Sequence, residues 1–165
     1  MAEEKDPREH LWKLIKDIKI AMLTTEHAEG WLRSRPMSTQ QAEFDGDLWF
    51  FTGVDSSKSQ EARQHPRVNL AYANPDDNHF VSVSGTAELV RDAAKNKELW
   101  NPIFKAWFPK GLDDPNLALL KIHVDHAEFW DSPSSTMVQI AGFLKAMVTG
   151  KAYQASPGEH GTVGS

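Results

Sequence analysis

Between Ile20 and Gly53 three strand-like segments follow one another with only short polar connections. They are IAMLTT from residue 20, WLRSRPMSTQ from residue 31 and DLWFFTG from residue 47, the first two separated by the turn at Glu29-Gly30. Parallel neighbours need a crossover of about a dozen residues or more, so strands this closely connected must run antiparallel. A doubly wound α/β sheet is excluded at this end of the chain, and no G-x-G-x-x-G supports one. The spacing predicts an antiparallel meander in which the second strand pairs with the third.

The remaining pattern adds strands and a few helices. Asp6-Pro7 combines an N-cap with proline at the first helical position, predicting a helix over about 7–18. SSKSQEARQH reads as a short helix stopped before Pro66, and RVNLAYAN as a strand closed by the turn Asn74-Pro75-Asp76-Asp77. HFVSVSGTAELV alternates as a strand, with Gly85 expected at a bulge. DAAKNKELWNPIFKAWF is helical in pattern and broken at Pro102, and LALLKIHVDHAEFWD is the longest strand candidate. TMVQIAGFLKAMVTG is expected to close the domain as a helix. The reading is an α+β domain over residues 1–150, mostly antiparallel and barrel-like, with about six strands and peripheral helices. Residues 151–165 lose apolar content and are expected to form a flexible C-terminal tail.

Charge and composition narrow the function. A formal charge of -5 over 165 residues argues against a nucleic-acid partner, which selects basic surfaces. No apolar run approaches the roughly 20 residues of a membrane span, so no membrane partner is expected. The N-terminus carries charges throughout and lacks the apolar region of a signal peptide. With no cysteine, disulfides and thiolate chemistry are excluded, and the cytoplasm is the expected compartment.

Lys58 poses the sharpest chemical question. It stands at the start of the SSKSQEARQH helix, where free amides and the macrodipole favour anions over cations. The serines read first as helix caps, with Ser57-x-x-Gln60 as a capping box. A second cluster changes the reading: Arg33 and Arg35, two apart, share one strand face with no acid close in sequence. If that strand end meets the turn at Lys58, then hydroxyls, a helix N-terminus, a lysine and arginines form a phosphate grip. Aromatics at Trp49, Phe50, Phe51, Trp107, Phe108, Phe129 and Trp130 would suit a flat heteroaromatic ligand carrying that phosphate. Each one singly also reads as a core residue.

Other constellations carry less. His123 and Asp125 share a strand face but His126 points away, so no compact metal site is expected. No nucleophile elbow is present, and Asp113-Asp114 reads as a solvated loop or a cap.

The ordered set IAMLTT, LRSRPM, DLWFFTGVDSSKSQE, HPRVNLAYA, VSVSGTAELV, FPKGLDDPN and AEFWDSP resembles the general stress protein branch of the pyridoxamine-phosphate-oxidase-like proteins. The resemblance spans about residues 8–150. It implies a split β-barrel that forms a homodimer and binds FMN at the subunit interface, with FAD or a deazaflavin as alternatives. By the resemblance, Arg33 reaches the flavin phosphate and ribityl chain. The backbone of Ser34, Arg35, Pro36 and Met37 runs along the ring. Trp49, Phe50 and Thr52 lie beside the ring and ribityl chain, and Ser57 and Lys58 hold the phosphate. Trp107 and Trp130 are implied to be presented across the interface.

The departures from the oxidases define the expected function. Those enzymes carry Arg-Lys where this chain has Ser57-Lys58, and end in a basic tryptophan motif where this chain has EFWDSPSST. The vitamin phosphate is left without a counter-charge, so pyridoxamine-phosphate oxidase activity is not expected. The expectation is a flavin-binding general stress protein, either an oxidoreductase acting on a small molecule or a non-catalytic carrier or sensor. No residue stands out as a proton donor.

Overall fold

In a computed structural model of the chain, residues 7–39, 41, 43–131 and 160–164 are described, the last five by their backbone alone. Helix α1 spans Pro7–Ile15 and buries Leu11, Leu14 and Ile15 at helical spacing. It is shorter than the apolar periodicity predicts, because the chain turns after Ile15, yet Ile18 still reaches the core. Strands β1 (Ile20–Glu26), β2 (Leu32–Ser38) and β3 (Asp47–Gly53) follow, then helix α2 (Ser57–Gln64). Strands β4 (Arg67–Asn74) and β5 (His79–Val90) precede helix α3 (Ala93–Leu99) and two single 3-10 turns at Pro102–Ala106 and Gly111–Asp113. The long strand β6 (Leu117–Asp131) and a short β7 (His160–Gly164) complete the sheet.

All pairings are antiparallel, and the strand order is β2-β1-β4-β5-β6-β3. The expected meander is corrected here: β2 and β3 do not pair but form the two ends of this order. β1 is paired on both edges, with β2 and β4, and β3 pairs with β6 through Asp47↔His123 to Gly53↔Leu117. Short connections fix antiparallel direction, but they do not oblige consecutive strands to be neighbours. The result is an α+β split barrel, whose curled sheet carries helices on its periphery.

β6 holds two partners along the edge that does not face β5. β3 covers its first half, and β7 covers His126 to Trp130. His160–Gly164 lies within the stretch expected to be a flexible tail and is paired instead. The helix expected over TMVQIAGFLKAMVTG, and residues 151–159, lie outside the described residues.

The main core joins Leu11 and Ile15 of α1 to Leu23, Phe50, Leu70, Val83, Leu120 and Ile122 from five strands. A second cluster of Phe104, Phe108 and Leu117 packs with Phe51 and Trp100. β3 supplies both clusters by alternation: Leu48 and Phe50 face the main core, Phe51 the second.

The β5–β6 register shifts between Ser84 and Gly85, which is the expected bulge. A Cβ at Gly85 would stand 2.5 Å from the His123 carbonyl oxygen and 2.6 Å from Ile122 Cγ2. Gly85→Ala is therefore expected to destabilise the fold by about 1–3 kcal/mol, the scale of overpacking a filled interior. Denaturant unfolding of the two proteins measures it, and an unchanged midpoint would refute the steric account.

Candidate functional site: a cationic cleft in the split of the barrel

The turn after β3 is fixed by hydroxyls. Thr52 and Ser59 are buried, and Thr52 Oγ1 lies 3.1 Å from both Ser56 Oγ and Ser59 Oγ. Ser59 Oγ donates to the Gly53 carbonyl at 2.8 Å, which ties the first turn of α2 to the strand end. The N-cap is Ser56, whose side chain accepts from the Ser59 amide. The Ser57–Gln60 capping box is thus corrected by one residue, since the β3–α2 hydroxyl cluster holds Ser56 rather than Ser57 in the cap position. Ser57 and Lys58 occupy the first two helical positions, where amides have no intrahelical acceptor.

Freed from capping, the Ser57 hydroxyl accepts from Arg33 Nη2 at 2.8 Å. The convergence of β2 with the turn at Lys58 therefore occurs, although no β2–β3 pairing produces it. Sequence reading missed the residue that brings it about. Glu61 is nearly buried and accepts from Arg35 Nη2 at 2.8 Å and from the Thr25 hydroxyl, while Arg33 Nη1 stands 3.7 Å away. Arg35 also donates to Thr25 Oγ1 at 2.7 Å. Glu61 follows Ser57 by one helical turn, so both face the arginines, and that spacing was the available signal.

This geometry sets the ionisation. Burial alone would raise the Glu61 pKa, but hydrogen bonds from Thr25 and Arg35 and the charges of Arg35 and Arg33 outweigh it and lower the value. Lys58 is half-buried, and desolvation first, then the charge of Arg35, lowers its pKa. Among the described residues no carboxylate pairs with Lys58. Arg33, Arg35 and Lys58 against Glu61 leave two formal positive charges in the cluster.

Beside it lies a groove of about 600 Å³. Pro36, Met37 and Ser38 of β2 form one wall and Phe51, Thr52 and Gly53 of β3 the other, with Lys58 at hand. Ile103, Phe104, Trp107 and Phe108 close it from the first 3-10 turn and the residues after it. β2 and β3, each paired on its other edge but not with one another, thus face each other across the split.

The expected site residues divide accordingly. Arg33, Arg35, Pro36, Met37, Thr52, Ser57, Lys58 and Trp107 come together at the cleft and groove. Ser34 turns to the other face of β2, its hydroxyl 2.6 Å from Thr24 Oγ1. Phe50 is a core residue, buried to 2% exposure. Trp49 faces Lys95 and Lys121, whose ammonium groups lie 4.9 and 5.8 Å from its ring, and does not line the groove. Trp130 lies at the far end of β6 opposite Phe80, also away from the groove. Phe51, Ile103, Phe104 and Asn116 line the groove but were not among the expected site residues.

The fold and cleft define a split-barrel protein with a cluster of cations at one end and a mostly apolar groove beside it. The family model described as "Pyridoxamine 5'-phosphate oxidase like" matches residues 6–154, and the chain belongs to that family. It is 29% identical over 143 residues to Protein bli-3 of Neurospora crassa, covering 81% of this chain and 68% of that protein. It is 22% identical over 142 residues to General stress protein 26 of Bacillus subtilis, covering 83% and 97%. The crystal structure of the general stress FMN/FAD binding protein of Xanthomonas citri superposes with a TM-score of 0.67 at 38% identity, covering 77% of this chain and 89% of that one.

Because Glu61 has a lowered pKa in the folded protein, its contribution is full above its ordinary value of 4.5 and is lost as pH falls through the folded value. Glu61→Gln should destabilise the protein at neutral pH by about 3 kcal/mol, the low end of the cost of breaking a buried pair. The deficit should shrink as the wild type is acidified below its ordinary carboxylate range. Urea midpoints across that range check both the size and the convergence.

Proposed function

We propose that this chain is an FMN-binding general stress protein acting as a flavin-dependent oxidoreductase on a small molecule. The observation that carries the proposal is Lys58: a half-buried cation with no carboxylate partner among the described residues, beside a groove of ligand size. A phosphomonoester carries roughly two negative charges, matching the two positive charges that Glu61 leaves uncompensated. Arg33, Ser57 and Lys58 would hold the phosphate. Met37, Phe51, Thr52 and Trp107 line the space available to the ring.

When bound, the flavin supplies the redox chemistry, and the protein supplies orientation and electrostatics. Among the described residues, Lys58 is the only charged side chain lining the groove. A second phosphate, that of pyridoxamine phosphate, would have no further cation there. The same poverty of acids and bases favours substrates that exchange electrons or hydride without a protein-borne proton, and it is also what a flavin carrier would show. Reduction of bound flavin by NAD(P)H and reoxidation by an added acceptor supports the enzyme; a cofactor inert to a broad panel supports the carrier.

A homodimer belongs to the same proposal. On one face of the sheet Ala73, Phe80 and Trp130 form a row across β4, β5 and β6, Met22 of β1 stands opposite Pro36 and Ala71, and Ile20 shares the face of Met22. Ile20, Met22, Phe80 and Trp130 are exposed, an apolar patch of the kind that marks an interaction surface. Ile20 also lines the groove, so the patch and the site adjoin. Met22→Glu should shift the protein from dimer to monomer in sedimentation and weaken FMN binding with it. A monomeric wild type would refute the dimer.

Lys58→Ala and Arg33→Ala should each weaken FMN binding by about 1–3 kcal/mol, the scale of a hydrogen bond to a charged group. Riboflavin, which lacks the phosphate, should be nearly unaffected; equal losses for both ligands would overturn the phosphate assignment. Since the Lys58 pKa is lowered, FMN affinity should fall on the alkaline side at a lower pH than an ordinary lysine would dictate. Titrations monitored by flavin fluorescence give both results.

A further inference from the structure

We infer that the β1–β2 hairpin carries a nucleobase platform, Trp31 stacked on His27, that receives the purine half of a flavin dinucleotide extending past Arg33. The inference rests on the flavin reading and adds a second subsite to it. The observation that carries it is an aromatic side chain held in place without being buried. Trp31 is 45% exposed. Its ring nevertheless lies 4.1 Å from the His27 ring at an interplanar angle of 14°. Its indole Nε1 donates to Glu29 Oε2 at 3.2 Å, and the His27 amide donates to the Trp31 carbonyl at 2.8 Å.

The platform is joined to the phosphate grip by one side chain. The Arg33 guanidinium donates to Ser57 and also lies 5.8 Å from the centre of the Trp31 ring. Trp31 immediately precedes β2 and falls in the same alternation as Arg33, Arg35 and Met37, on one side of an edge strand. Met37 lines the groove at one end, the cations follow, and the exposed indole stands at the other. Six residues of strand span about 20 Å. That is long enough for two nucleotide halves and longer than a ligand ending at its first phosphate requires. A pyrophosphate presents roughly the same two negative charges as a phosphomonoester, so the charge balance at Glu61 suits either.

The test is equilibrium binding of FMN, FAD and riboflavin to the full chain, wild type and variants, with thermal unfolding of each apoprotein alongside. Wild type is expected to bind FAD at least as tightly as FMN. Trp31→Ala should weaken FAD by roughly tenfold, within the range that base–aromatic stacking contributes, and change FMN by less than about twofold. Trp31→Phe should restore most of the FAD affinity, because it keeps a stacking face. If Trp31→Ala weakens FAD and FMN alike, or neither, Trp31 only supports the hairpin and the inference is wrong. A wild type that binds FMN but not FAD also sinks it while leaving the flavin reading standing. A wild type that binds no flavin removes both.

Discussion

The buried carboxylate of Glu61 is the interaction on which the cleft depends. It sits on α2, which follows β3 in the chain, and it is bonded to Thr25 of β1 and Arg35 of β2. β2 and β3 are not paired, so this contact, together with the Arg33–Ser57 hydrogen bond, links the two ends of the sheet. A charged group in that position costs desolvation energy, which only close partners offset. Thr25 and Arg35 each supply one such contact and are hydrogen-bonded to each other, and Arg33 adds a third, more distant charge.

The same arrangement explains why the arginines are not equivalent. Arg35 is consumed by Glu61 and Thr25, with its side chain only 15% exposed. Arg33 is 40% exposed, touches Glu61 at a longer distance, and spends one donor on Ser57. Its guanidinium has five N–H donors in a planar fork, so contacts with Ser57 and Glu61 leave donors to spare. One arginine holds the wall and the other faces the opening. Lys58 completes the set as a compact charge on a flexible stem at a helix start, whose intrinsic preference for anions makes a cation there costly until an anion arrives.

Much of the fold was legible because it is local. Strand-like runs bounded by turn signals located every strand from β1 to β6, Gly85 marked the bulge, and Pro102 marked the break between α3 and the first 3-10 turn. What was not legible is non-local. That β1 takes β4 as its second neighbour, leaving β2 and β3 apart, is a pairing with a distant segment that nothing in residues 20–53 encodes. β7 was invisible for a related reason: HGTVG has little apolar pattern, and its strand exists because β6 outlasts β3 and leaves an edge open. Within the site, Arg33, Ser57 and Lys58 could be grouped by charge chemistry alone. Trp49 and Phe50 could not be sorted by side-chain type, because only the register of β3 against β6 decides which face each one takes.

Glu61 shows where charge reasoning from sequence stops short. Two arginines on one strand face pose a question that their neighbours in sequence do not answer, since Glu26 and Glu29 lie across the hairpin turn. Glu26 approaches His65 and Glu29 approaches Trp31 and His27, so neither is the counter-ion. The acid that answers comes from a helix 26 residues beyond Arg35, on the far side of the split. Had it been absent, three cations would have faced one another without compensation. With it, one arginine becomes part of the scaffold and the excess charge is set by the sequence at two units rather than three. A site built this way has its geometry in place before any ligand binds, so little of the binding free energy need go into ordering the side chains that hold it.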